Sequence, residues 1–173
     1  MKTFAMMTAA AIAAAGCSTM TTMGGGAKAV ASLEPTQGNS THGTVTFTQR
    51  GDTVHVVAHV MGLKPGATHG FHVHEKGDCG SADGMSTGGH FNPGGHPHGP
   101  QSAAHHAGDM PALVADAYGT ADAAFDLTGV SVGGSAPDLV GKGLIVHRDP
   151  DDYTTQPTGN AGPRTACAVI RRA

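Results

Sequence analysis

With 173 residues, 27 glycines, 10 prolines, no tryptophan and 13% charged side chains, the chain suits one loop-rich β domain better than a helical bundle. A formal net charge of −3 and a sequence pI near 6.4 leave no basic patch on the scale that nucleic-acid binding needs. Histidine, at 12, outnumbers lysine plus arginine at 10, and imidazole is the commonest protein ligand for borderline metals, so metal chemistry leads.

The chain opens on an address. Lys2 gives a short positive start, residues 4–15 form an apolar run interrupted only by Thr8, and Ala14-Ala15-Gly16-Cys17 follows. This pattern predicts an export signal over 1–16. The run is too short to span a bilayer as a permanent helix. The small residues before Cys17 resemble the bacterial lipoprotein signal, with Ala14 where a leucine is commonest, which implies acylation of Cys17. The expected location is the periplasm, with membrane contact only through that lipid. Residues 17–28 are rich in Ser, Thr, Met and Gly without a hydrophobic period and read as a flexible tether, which leaves 29–173 as the folded domain. Export also leaves Cys79 and Cys167 as an even pair in an oxidising compartment, so a disulfide between them is expected.

Eight short strands follow in chain order. Residues 29–34 are a weak first candidate. In 42–48 (HGTVTFT), Thr44, Thr46 and Thr48 share one face and Val45 and Phe47 the other; 53–60 (TVHVVAHV) sets Val54, Val56, Ala58 and Val60 against His55, Val57 and His59. Residues 69–74 form a third clear strand. Residues 112–117 and 121–127 read as a pair joined through Tyr118-Gly119-Thr120, and 144–147 and 166–170 complete the set. Short strands between turn signals, with no helical period, predict an all-β fold: an eight-stranded antiparallel barrel or sandwich. Two long Gly-rich connections, 75–111 and 148–165, are loops of the length that usually carries function.

The first of these connections, with the strand before it, holds most of the candidate ligands. A strand sends residues i and i+2 to one face, so His72 and His74 can aim at one ion. His98, His106 and Asp109 offer a second set of nitrogen and oxygen donors. His90 lies between the groups and has two ring nitrogens, so it can serve either set or bridge both. His42, His55, His59, His96 and His105 belong to no motif and read as surface groups, and His69 reads as structural.

Five blocks in order, GFHVHEKGDC (70–79), GGHFNP (88–93), HAGD (106–109), VHRDPDD (146–152) and GNAGPRTACAVI (159–170), resemble the copper,zinc superoxide dismutase family. The likeness runs from about residue 30 to the end of the chain. It implies a Greek-key fold of immunoglobulin-like architecture, one copper and one zinc ion per subunit, and superoxide as substrate. Copper would fall to His72, His74, His90 and His147, and zinc to His90, His98, His106 and Asp109, with His90 shared. Asp151 matches the aspartate that orients one ligand of each metal, and Arg164 matches the arginine beside the open copper position. Cys79 and Cys167 match the family's intrasubunit disulfide.

The implied activity converts superoxide to dioxygen and hydrogen peroxide by cycling Cu(II) and Cu(I), with zinc structural and tuning, and with His90 and Arg164 as the catalytic side chains. Lys64, Lys76 and Arg148 occupy loops where charge guides the anion in this family, Lys76 following His74 most closely. The resemblance leaves open a homodimer as well as a monomer. The competing reading is a non-catalytic exported protein that binds or delivers copper. Arg164 separates the two, because a carrier has no use for an anion-binding group beside an open copper position.

Overall fold

The computed structural model describes residues 26–134 and 137–173, so the signal, Cys17 and most of the tether lie outside the described residues. Alternating side chains set the pattern. Strands β1 (Lys28–Pro35), β2 (His42–Arg50) and β3 (Thr53–Met61) form a meander. Its inner face buries Ala29, Ala31, Leu33, Val45, Phe47, Val54, Val56, Ala58 and Val60 in the core, while the threonines and histidines of alternate positions face outward. This is the division that the alternation in 42–48 and 53–60 predicts.

The remaining strands are β4 (Thr68–His69), β5 (Phe71–His74), β6 (Leu113–Val114), β7 (Ala121–Thr128), β8 (Gly143–His147), β9 (Arg164–Val169) and β10 (Arg171–Arg172). All strand pairings are antiparallel. The main sheet runs β5-β8-β9-β1-β2-β3-β7, with β10 continuing β9 along the start of β1, and β4 and β6 form a separate small pair. After β3 the chain crosses to the far edge of the sheet as β5, and after β7 it crosses again to β8, the strand beside that edge, which is Greek-key connectivity. The all-β antiparallel expectation is met.

Three details differ from the sequence reading. The described residues hold ten strands rather than eight. Residues 69–74 split at Gly70, whose backbone bonds to His147 and Asp149, so that β4 pairs with β6 and β5 with β8. Residues 112–117 shrink to Leu113–Val114 and do not pair with β7. Asp116 turns the chain there by accepting the N–H groups of Tyr118 and Thr120, and β7 pairs with β3 instead.

Candidate metal centre

β5 is buried on both faces. Phe71 and Val73 enter the core, and His72 and His74 point the other way into a cluster of imidazoles. One edge of β5 pairs with β8. Along its other edge lies the long connection of residues 75–112: Phe91 N–H donates to Val73 O and Val73 N–H to Gly108 O, both at 2.8 Å, with single bridges His74 to His90 and His72 to Asp109. The loop therefore acts as an irregular extra strand that carries His90 and Asp109 to the histidines of β5. Gly108 permits the approach, since a Cβ there would sit 2.2 Å from Val73 O. From the other side, the register of β8 on β9 slips between Val146 and His147 and sets His147 opposite Arg164.

Two groups of ligand atoms result. His72, His74, His90 and His147 form one; His90, His98, His106 and Asp109 form the other; within each, one atom per residue lies within 4.8 Å of all the others. All seven residues are buried. The structure thus brings together every residue assigned to the two ions, with His90 common to both groups.

The hydrogen bonds leave specific nitrogens facing inward. His72 donates Nε2–H to Asp151 Oδ2 (2.7 Å), His74 donates Nδ1–H to Gly88 O (2.9 Å) and His147 donates Nδ1–H to Gly162 O (3.0 Å). Their other nitrogens, His72 Nδ1, His74 Nε2 and His147 Nε2, are buried without a hydrogen-bond partner, as is His90 Nε2. In the second group His90 Nδ1 lies 2.8 Å from Asp109 Oδ1, and His98 donates Nε2–H to Asp151 Oδ1 (2.9 Å). His98 Nδ1 is 3.0 Å from Asp109 Oδ2, yet its geometry makes no hydrogen bond. A buried polar atom without a partner costs about 1–3 kcal/mol, and several aimed at one point are explained by ions that take their lone pairs. Four imidazoles suit Cu(II), and three histidines with a carboxylate suit a closed Zn(II) site, so the donor sets fit copper and zinc.

Electrostatics keep these ligands ready. Burial, then the neighbouring His90, push His72 and His74 well below the usual imidazole range, and burial brings His147 down to about 4. Burial would raise Asp109, but the hydrogen bond from His90 and the backbone N–H of His106 outweigh it and hold the carboxyl at about 2. Neutral imidazoles and an ionised carboxylate are the forms that bind metal.

Other residues singled out in the sequence have definite partners in the structure. Asp151 bridges His72 to His98 and so links the two groups. Arg164 Nη2 donates to Gly88 O, the carbonyl that also receives His74. Cys79 and Cys167 form a disulfide. Arg148 forks onto Asp149 at 3.0 and 2.8 Å, which pairs its charge; Lys76 is exposed beside β5. His69 is buried and bonds through Nδ1 to the His147 carbonyl, outside both groups. His55 and His59 pair with Asp126 and Asp122 across β3 and β7, and His42 bonds to Ser40 O. Two contributors carried no signal in the sequence reading. Gln156 clamps the His98 backbone, accepting its N–H at 2.8 Å and donating to its carbonyl at 2.9 Å, and Thr87 meets Arg164. Both act through loop contacts that no periodicity or ligand spacing encodes.

Comparison with known proteins agrees with this geometry. The copper/zinc superoxide dismutase (SODC) family model matches residues 41–170. Superoxide dismutase [Cu-Zn] 2 from Brassica juncea is 43% identical over 152 residues, which cover 83% of this chain and 96% of that protein. On fold, paired ligand groups and these matches together, the chain belongs to the copper/zinc superoxide dismutase family.

Proposed function

We propose that this chain catalyses the dismutation of superoxide, with His72, His74, His90 and His147 holding copper and His90, His98, His106 and Asp109 holding zinc. The observation that carries the reading is the pair of buried ligand groups sharing His90, set opposite an arginine. When bound, copper supplies the one-electron chemistry, alternating between Cu(II) and Cu(I) as one superoxide is oxidised to dioxygen and a second, with two protons, is reduced to hydrogen peroxide, while zinc supplies a fixed anchor and charge. The residues do the rest. His90 is held through Nδ1 on the Asp109 side, and its Nε2, which has no protein partner, is the atom able to hold a proton and deliver it to the reduced oxygen. Asp151 fixes the rings of His72 and His98 together. Arg164, half-buried across from His147, offers a small anion a fixed positive fork, and burial strengthens that attraction.

The test is to load purified protein with copper and zinc and to follow superoxide removal, with His147→Ala as control. Activity in the parent and its loss in the variant is the expected result. Stoichiometric copper binding without activity would transfer the chain to the copper-carrier reading.

The signal-like residues 1–16 and the segment Ala14 to Cys17 support export and acylation of Cys17, with the domain tethered by lipid on the periplasmic side. The Cys79–Cys167 disulfide is in keeping with an oxidising compartment. Mass spectrometry of the mature N-terminus checks this: a diacylglyceryl mass on Cys17 is expected, and an unmodified terminus at another residue would remove the anchor without touching the enzyme reading.

A further inference from the structure

The guanidinium of Arg164 is gripped by residues 84–88. Its Nη1 donates to Gly84 O and to Thr87 Oγ1, and its Nη2 to Gly88 O, each at 2.7 Å. A guanidinium has five N–H groups, so these three contacts leave two for an arriving anion. Two of the three acceptors are backbone carbonyls, present whatever side chains stand there. The third is a side chain, fully buried.

The Thr87 hydroxyl does two things at once. It accepts from Arg164 and donates to Gly84 O at 2.9 Å, the carbonyl that Arg164 also uses, which closes a small ring of hydrogen bonds. The ring is seated on a firm base. Thr87 ends the short 3-10 turn Met85–Thr87, and its carbonyl receives the Lys76 N–H at 3.0 Å. The next residue, Gly88, takes φ 74°, and a Cβ there would come 2.3 Å from Glu75 Oε1. Three residues after Thr87 comes His90 itself.

We propose that Thr87 is a positioning residue for Arg164: its buried hydroxyl fixes the plane of the guanidinium, so that the free N–H groups face an anion arriving beside His147. This rests on Arg164 being the anion-binding group of the reaction. Without the hydroxyl, one guanidinium N–H loses its acceptor in a buried place, and the side chain gains by rotating outward. The exposed Asp83, which acts on Arg164 electrostatically, is the competing partner in that direction.

Thr87→Val keeps the shape and loses the hydroxyl, whereas Thr87→Ser keeps the hydroxyl; Arg164→Gln supplies the reference for loss of the guanidinium. The readout is azide binding to the copper- and zinc-loaded enzyme, followed spectroscopically, alongside turnover at low salt. Thr87→Val is expected to weaken azide binding roughly tenfold, the scale of one lost hydrogen bond to a charged group, and to slow turnover in parallel, with metal content unchanged. Thr87→Ser is expected to restore both. Unchanged azide affinity in Thr87→Val, with affinity lost in Arg164→Gln, overturns the role of Thr87 and leaves that of Arg164 intact; a serine variant as weak as the valine one overturns it too. Unchanged affinity in both Thr87→Val and Arg164→Gln removes both assignments. If the valine variant does not fold, Thr87→Ala carries the same comparison.

Discussion

Burial holds His72, His74, His106 and His147 neutral, and hydrogen bonds hold Asp109 anionic, before any metal arrives, and this has a measurable consequence for the metal-free protein. Burial lowers His147 from the ordinary imidazole value of 6.5 to about 4, and His72 and His74 lie well below that ordinary value. In the unfolded chain these imidazoles take up protons near pH 6.5, while in the folded chain they resist until lower pH. The unfolded state therefore binds more protons in that window, and stability falls as pH drops from about 6.5 towards 4. For His147 alone the loss between pH 7 and pH 4 is on the order of 3 kcal/mol. Asp109, depressed to about 2, adds a further loss below the usual carboxylate range. Melting of the metal-free protein should be steady above about pH 7.5 and fall steeply between pH 6.5 and 4; a flat melting temperature across that interval would show that the imidazoles are not held neutral. Metals occupy the same nitrogens, so loading should flatten the curve. The ligand types were legible because chemistry restricts them: HVH spacing on a strand is readable. The carbonyls of Gly88 and Gly162, which decide which nitrogen of His74 and His147 faces inward, belong to the backbone and leave no mark in the residue string.

The connection between β8 and β9, residues 148–163, holds the zinc-side ligands through three side chains. Asp151 takes the ring of His98, Gln156 takes its backbone from both sides, and Tyr153 Oη accepts the Ala112 N–H at 3.0 Å, beyond Asp109. The two long loops thus brace each other over the second ligand group. Gln156→Ala removes both clamps on the His98 backbone and leaves the ring bond to Asp151. Zinc release to a chelator should quicken about tenfold, at the lower end of what losing an orienting partner costs, while the copper spectrum stays as it was. Equal zinc release in variant and parent would mean that Asp151 alone fixes His98. The strands show the opposite balance between sequence and structure. β2 and β3 alternate cleanly because one face is core and the other solvent, and their register follows the alternation. β5 is buried on both faces and β4 is two residues long, so the hydrophobic pattern could not show where residues 69–74 divide; tertiary hydrogen bonds at Gly70 decide it.

Cys79 and Cys167 stand 88 residues apart and join the long ligand-bearing loop to β9, the strand that starts at Arg164. A bond of that span removes chain entropy from the unfolded state, which the chain-entropy model places at roughly 4 to 5 kcal/mol, a large share of a typical domain's stability. Its position matters as much as its span. Gly84, Thr87 and Gly88 lie in the segment between Cys79 and His90 and supply every acceptor that grips Arg164, while Cys167 sits three residues beyond Arg164 on the same strand. The disulfide therefore closes a short circuit running from Arg164 along β9, across to the loop, and back through three hydrogen bonds to the guanidinium. Cutting it in Cys79→Ser/Cys167→Ser should lower the melting temperature markedly. It should also reduce turnover per bound copper at temperatures where the variant is still fully folded, because the loop that aims Arg164 is tethered only by weaker contacts. Azide affinity should fall with it. Full turnover per copper in a folded but less stable variant would show that the bond serves stability alone and that hydrogen bonding suffices to aim the arginine.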